Sequence, residues 1–310
     1  MRKTTAVAGV LGLTALALVG CSSQPLTPEG CGRVADSAPS VMGAVDASGA
    51  STSVPQSFVA DEAAHLDLEE GAGAVIESID QAAVVDISLV DAATGAELPY
   101  VVTEGDETKV VPLSALTAQM PGLEPALACA GEGSRFVAAL GDGGIDEALA
   151  AQLQQAGLSG DASRMLAVVD VHRVLPGAAD GSPVYNAGHG LPSIVRSPEG
   201  VPGVVVPDAA APTSTAVETL LKGDGPALAE GDVVTLHVQS VDWTSRSVGT
   251  STWTRESPAT APLAEIGLPE EVVSALDGAT VGSQVLVVVP DGESGATIWV
   301  VDLLGAAAAS

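Results

Sequence analysis

The sequence predicts an α+β protein made of two repeated, strand-rich units, each with a short helix. Composition, strand-like alternation and an internal echo predict it. Apolar residues make up 46% of the chain but aromatics only 2%, so any core must be built from Val, Leu, Ile and Ala. The 35 Gly and 20 Pro punctuate many turns, which favours short strands over long helices. Alternating runs such as Val84-Val85-Asp86-Ile87-Ser88-Leu89-Val90 read as half-buried strands. Their landmarks then recur in one order further along the chain, as repeated units do.

Taken in order, the chain opens on a processing signal. Arg2 and Lys3 precede an apolar stretch at 6–19, then Leu18-Val19-Gly20-Cys21. The stretch is about 14 residues, short of the roughly 20 that a membrane-spanning helix needs. Residues 1–20 therefore read as a lipoprotein signal peptide, with Cys21 as the lipidated first residue of the mature chain. Acyl chains on Cys21 would hold the protein on a membrane at about 0.8 kcal/mol per buried CH₂. Residues 21–53, rich in Ser, Gly, Pro and Ala, read as a flexible tether.

The first unit is expected over 54–176 and the second over 201–305, joined by a Pro/Gly-rich linker at 177–200. Glu70-Gly71-Ala72-Gly73 ahead of the run at 84–90 is answered by Lys222-Gly223-Asp224-Gly225 ahead of the run at 233–238. A short helix near 121–130, followed by Gly133-Ser134 and a strand, is answered by one near 269–278, followed by Gly282-Ser283 and a strand. The run at 166–171 answers that at 298–303 as the closing strand of each unit. Between them the first unit carries an insertion, 141–165, with Ile145, Leu149 and Leu153 at helical spacing and Gly157 as a stop. This predicts a helical cover, either a lid over a groove or a helix packed on its own core.

The net charge of −28 becomes −30 once Arg2 and Lys3 leave with the signal, and no basic stripe offsets it. Nucleic acid and anionic headgroups are poor partners for such a surface. His65, His172, His189 and His237 stand apart from one another and from the cysteines, so no zinc-ligand spacing forms and no metal or other cofactor is expected. No nucleophile-elbow, phosphate-loop or EF-hand motif is present. Cys31 and Cys129 remain as an even pair in an exported chain. A bridge between them would close a loop of about 97 residues, worth on the order of 4–5 kcal/mol in the chain-entropy model. The alternative is a buried thiol at Cys129 and a loose one at Cys31.

Over 220–305 the second unit resembles an FKBP-type peptidyl-prolyl isomerase domain. The resemblance is carried by Gly223-Asp224-Gly225, Gly231-Asp232-Val233-Val234, Ala275-Leu276 with Gly278, the run Val281 through Pro290, and Val300-Val301-Asp302-Leu303-Leu304. The first unit shares Met120-Pro121-Gly122, Ala126-Leu127 and Gly133-Ser134-Arg135. The resemblance implies two tandem FKBP-like domains in a lipoprotein of actinobacterial type, each a bent antiparallel sheet of five or six strands around a short helix. It also implies a pocket lined by a strand Tyr, a Phe-Asp pair, a floor Trp, a flap Tyr and a Phe on the last strand.

Carried onto this sequence, those pocket positions fall on Val238, Gly249-Thr250, Val272 and Trp299, with no Tyr in the short flap at 291–295. In the first unit the strand Tyr, floor Trp and last-strand Phe fall on Leu89, Leu123 and Ala167, and Tyr100 is the nearest aromatic candidate. Of these pocket positions in the second unit, only Trp299 keeps an aromatic ring. Trp243 and Trp253 can either frame a peptide site with it or serve as core anchors. The leading expectation is a membrane-anchored scaffold on the extracytoplasmic face that binds proline-containing exported polypeptides with little or no turnover. An active isomerase for exported proteins and a structural surface lipoprotein are the alternatives.

Overall fold

The computed structural model describes Cys31, Arg33 and residues 54–309, apart from 187, 189, 256, 293 and 294. The signal at 1–20, Cys21 and the remainder of the tether segment lie outside the described residues, as does His189.

A first antiparallel sheet is formed by β1 (Ala64–Glu69), β2 (Ala82–Asp91), β3 (Ala96–Val101), β4 (Val111–Pro112), β5 (Arg135–Ala139) and β6 (Met165–Val174). Its strands lie in the order β1-β5-β6-β2-β3, with β4 also pairing β2. Helix α1 (Leu113–Gln119) follows β4; a 3₁₀ turn, Pro121–Leu123, leads into the single-turn α2 (Glu124–Leu127); α3 (Glu147–Gln155) lies between β5 and β6.

The remaining strands are β7 (Ser182–Pro183), β8 (Ser193–Arg196), β9 (Pro202–Val205), β10 (Ala216–Lys222), β11 (Val233–Asp242), β12 (Val248–Ser251), β13 (Ala259–Pro262), β14 (Gln284–Asp291) and β15 (Gly295–Ala307). They form a second sheet in the order β12-β11-β15-β14-β10-β7, with β13 also on β11, and a separate β8-β9 pair. Helix α4 (Glu270–Ala275) precedes β14. The path β10-β14-β15-β11-β12 repeats β1-β5-β6-β2-β3 strand for strand. The irregularities recur as well: the register slips between Asp67 and Glu69 in β1 and between Thr219 and Leu221 in β10. It slips again between Val84 and Val85 in β2 and between Thr235 and Leu236 in β11. Such bulges bend and twist the strands that carry them.

The repeated glycine motif has a steric cause in both sheets. A Cβ on Gly71 would lie 2.5 Å from the carbonyl oxygen of Gly131, and one on Gly223 would lie 1.9 Å from that of Val281. Only glycine lets those backbones cross so closely. The same crossings place the isolated bridges Val75 to Gly131 and Ala227 to Thr280.

Each sheet is buried on both faces, so its central strands read as nearly unbroken apolar runs rather than clean alternations. In the first, α1, α2 and α3 cover one face through Leu113, Leu116, Leu127, Leu149 and Leu153. The other face is covered by the segment ahead of β1, through Phe58 and Ala60. In the second, α4 covers one face. Leu191 and Ile194, from the region expected to be a linker, cover the other together with Val204 and Val206, packed against Trp243, Leu286 and Ile298.

That region is therefore not a plain linker at 177–200. Ser182 and Pro183 pair with Lys222 and Leu221. The Ala179 N–H donates to Asp302 Oδ2 at 2.9 Å, and Gln284 Nε2 donates to Asp302 Oδ1 at 2.7 Å. Arg196 donates to Gln284 Oε1 at 3.0 Å through Nε. Burial pushes the Asp302 carboxyl above the usual carboxylate range, against the pull of these donors. The first sheet holds Arg135 and Asp170, 3.5 Å apart, where the second holds Gln284 and Asp302. Among the described residues no helix is long and apolar enough to cross a membrane.

Candidate functional site

Alternation along β11 sends Val234, Leu236 and Val238 toward α4, and there they meet Val285 and Val287 of β14 and Val301 and Leu303 of β15. Helix α4 closes over them with Val272, and Leu276 follows at its end; both are fully buried. Trp299 packs against the same cluster but is only half-buried, and so are Leu263, Ile266, Leu268 and Val289, which pack against the cluster as well. The result is an aliphatic floor with a partly open apolar margin, and Trp299 is the one aromatic side chain among the described members of the cluster.

The sequence-predicted site thus divides. Val238, Val272 and Trp299 are brought together. Gly249 and Thr250 are exposed on β12, where the Thr250 N–H donates to Ser240 Oγ at 2.8 Å. A side chain at 249 would meet that same Ser240 hydroxyl, 2.8 Å from its Cβ.

Trp243 and Trp253 do not frame this face, which corrects one of the two readings drawn from the sequence. Trp243 is buried on the opposite side of the sheet, its indole N–H donating to the Ala209 carbonyl at 3.2 Å. Trp253 stacks on His237, ring centroids 3.9 Å apart and planes 19° from parallel. His237 leaves β11 on the side away from Val238, and its Nδ1 lies 2.8 Å from Thr252 Oγ1. Burial holds this imidazole down to about 4, so it stays neutral near pH 7.

In the first sheet the pairing of Arg135 with Asp170 matches that of Gln284 with Asp302, which sets Ala167 in the place of Trp299. The same register puts Ile87, rather than Leu89, in the place of Val238. Ala167 is fully buried in one cluster with Leu123, Leu149, Leu153 and Leu158. Helix α3 is capped by Asp146, whose side chain accepts from the Leu149 N–H at 2.6 Å, and it ends before Gly157 at φ +93°. The insertion therefore packs on its own core, and the lid over an open groove is not what the structure shows. Tyr100 sits at its edge, with its hydroxyl on Gln119 Oε1 at 2.7 Å.

Asp86 occupies the place of His237 and anchors a comparable crossing. It accepts from Thr103 N, Thr103 Oγ1 and Glu104 N and lies 2.8 Å from His172 Nε2. Burial alone would raise its carboxyl, but these hydrogen bonds outweigh it and bring the group down to about 2.

The bridge expected between Cys31 and Cys129 forms, and beside it lies one interaction, that of Arg33, which sequence reasoning missed. Cys31 is bonded to Cys129, with Cα atoms 5.7 Å apart, and Arg33 is docked beside the bridge. Its guanidinium pairs with Asp67 at 2.6 Å, donates to the carbonyls of Ala126 and Ala128 at 2.7 Å each, and lies 5.0 Å over the Phe136 ring. An arginine in a Ser/Gly/Pro-rich stretch carries no local signal of such a partner. Among the described residues no group of three His, Cys, Asp or Glu side chains is placed to hold a metal ion.

No family model matches this chain, and no curated protein matches it. Among solved structures it is similar to a putative peptidyl-prolyl cis-trans isomerase FKBP12 from Mycobacterium tuberculosis, at 22% identity over 31% of this chain and 86% of that one, with a TM-score of 0.26. It is similar to FkpA from Escherichia coli at 16% identity, over 40% of this chain and 55% of that one, with a TM-score of 0.28. The three FKBP domains of wheat FKBP73 align over 80% of this chain and 95% of theirs, at 12% identity and a TM-score of 0.30. Likenesses this distant do not assign a site, so the residues themselves must carry the functional reading.

Proposed function

We propose that the chain is an FKBP-like lipoprotein with two tandem domains, held by Cys21 on the extracytoplasmic face of a membrane. Its second domain binds extended, proline-containing segments of exported polypeptides with little or no isomerisation. The observation that carries this reading is the half-buried Trp299 beside buried Val238 and Val272, with an open apolar margin of Leu263, Ile266, Leu268 and Val289. Such a surface suits a proline ring or an aliphatic side chain, since a partly exposed indole gains most from being covered.

Turnover asks for more than binding. Rotation about an X–Pro bond meets a barrier of about 18–20 kcal/mol from amide resonance. A catalyst must hold the twisted amide better than the planar one, so a face that contacts both equally gives affinity without rate. The floor is aliphatic, and the hydroxyl of Ser240, cross-strand from Trp299, is taken up by the Thr250 backbone. Gly249 and Thr250, which the resemblance would make a Phe-Asp pair, are turned to solvent and to Ser240. The two domains divide the work, because helix α3 fills in the first sheet the place that stays partly open around Trp299.

Titration of the soluble fragment 22–310 with a proline-containing peptide tests the binding. Saturable quenching or shift of tryptophan emission is expected, lost in Trp299→Ala and kept in Trp243→Phe. No saturable change in either background would overturn the peptide-binding reading and leave a structural surface lipoprotein.

A further inference from the structure

The reach of a tethered protein depends on where the tether leaves the body, and in this chain that point is not the start of the first domain. Cys31 is covalently joined to Cys129, just past α2. Two residues on, the Arg33 side chain is 7% exposed and holds Asp67 of β1 and the carbonyls of Ala126 and Ala128. The guanidinium fork thus satisfies carbonyls at the end of α2 while pairing with a carboxylate on the neighbouring strand, a geometry that a loosely held residue would not keep.

We infer that Cys31 and Arg33 form a staple that moves the attachment point of the N-terminal segment from Val54 to the end of α2. This rests on the proposed anchoring through Cys21. With the staple closed, only residues 22–30 lie between the anchor and the body, instead of residues 22–53. A fully extended chain spans at most about 35 Å over the first interval and about 115 Å over the second. A compact domain of roughly 120 residues has a radius of gyration of about 14 Å, hence a width near 35 Å. The stapled body therefore stands within about one domain width of the membrane and presents to it the side that carries Cys129 and Asp67. An unstapled body could turn any side toward the bilayer.

The test uses the full lipidated chain with a site-specific protease sequence inserted between Val41 and Met42. Membranes are treated with the protease and the body is followed by sedimentation and by non-reducing gel. The staple predicts that the cleaved body stays with the membranes and is released by dithiothreitol, and that Cys31→Ser releases it on cleavage alone. Release of the unaltered cysteine pair by protease without reductant would overturn the inference. So would retention of the cleaved Cys31→Ser protein. If the uncleaved protein is not membrane-bound at all, the anchoring reading fails separately. The staple is then judged on the gel, where the fragment ending at Val41 must remain attached until reduction.

Discussion

At the scale of single residues, two polar groups inside this aliphatic protein, His237 and Asp86, occupy matching places on the two sheets. His237 lies under Trp253 with Nδ1 on Thr252, and burial holds it down to about 4. A group whose folded value is depressed contributes stability that is full above its unfolded value, near 6.5, and is lost as pH falls through the folded one. His237 should therefore contribute a loss of roughly 3 kcal/mol between pH 6.5 and 4 in urea unfolding, at 1.36 kcal/mol per unit, against the opposite drift of Asp302, whose raised carboxyl gains stability as pH falls. His237→Gln should flatten that window. Asp86 stays charged throughout it and loses its contribution only as pH falls from about 3.8 toward about 2. Arg33 offers a second check at this scale. Its buried pairing with Asp67 predicts that Arg33→Ala costs about 3–5 kcal/mol in urea unfolding, because the carboxylate is left without its partner. Arg33→Lys should recover only part of this, since lysine lacks the fork that reaches the carboxylate and two carbonyls together.

At the scale of elements, the closing strands, the repeated glycine motif and the paired short helices were legible in the sequence because each follows from local chemistry. The close backbone approach at Gly71 and Gly223 needed the fold, whereas Gly157 stops α3 two residues after its last helical turn as its position predicts. Helix α1 was missed although Leu113, Leu116 and Met120 carry its buried spacing, since Pro112 and Pro121 crowd both of its ends. Strands β7 and β8 were missed for a different reason. Pro and Gly in 177–200 read as linker, and only pairing with β10 and packing on Trp243 turn that stretch into structure. The role of α3 needed the fold, because the same Ile145, Leu149, Leu153 spacing suits a lid and a plug alike. Leu153→Ala should cost about 2–5 kcal/mol in chemical unfolding, as for other buried leucines. It should leave peptide titration at Trp299 unchanged, because the plug sits on the other sheet.

At the scale of the whole molecule, one strand order appears twice with its bulges in matching places, and the two copies differ in what lies over the helix-covered face. In the first, α3 covers Ala167 at the matching position and the half-buried Tyr100 is tied to Gln119 at the edge; in the second, Trp299 and its margin stay partly open. The site positions were legible only as far as Val238, Val272 and Trp299, which the family resemblance put forward and the fold sets on one face. Trp243 and Trp253 needed three dimensions, since an aromatic residue in a chain with so few others suits a core as well as a binding surface. The central claim is binding without turnover. A protease-coupled proline isomerisation assay on fragment 22–310, run at peptide concentrations that saturate the tryptophan signal, tests it most directly. The account predicts a rate equal to that of the peptide alone. An acceleration comparable with that of an active isomerase, abolished by Trp299→Ala, would contradict it.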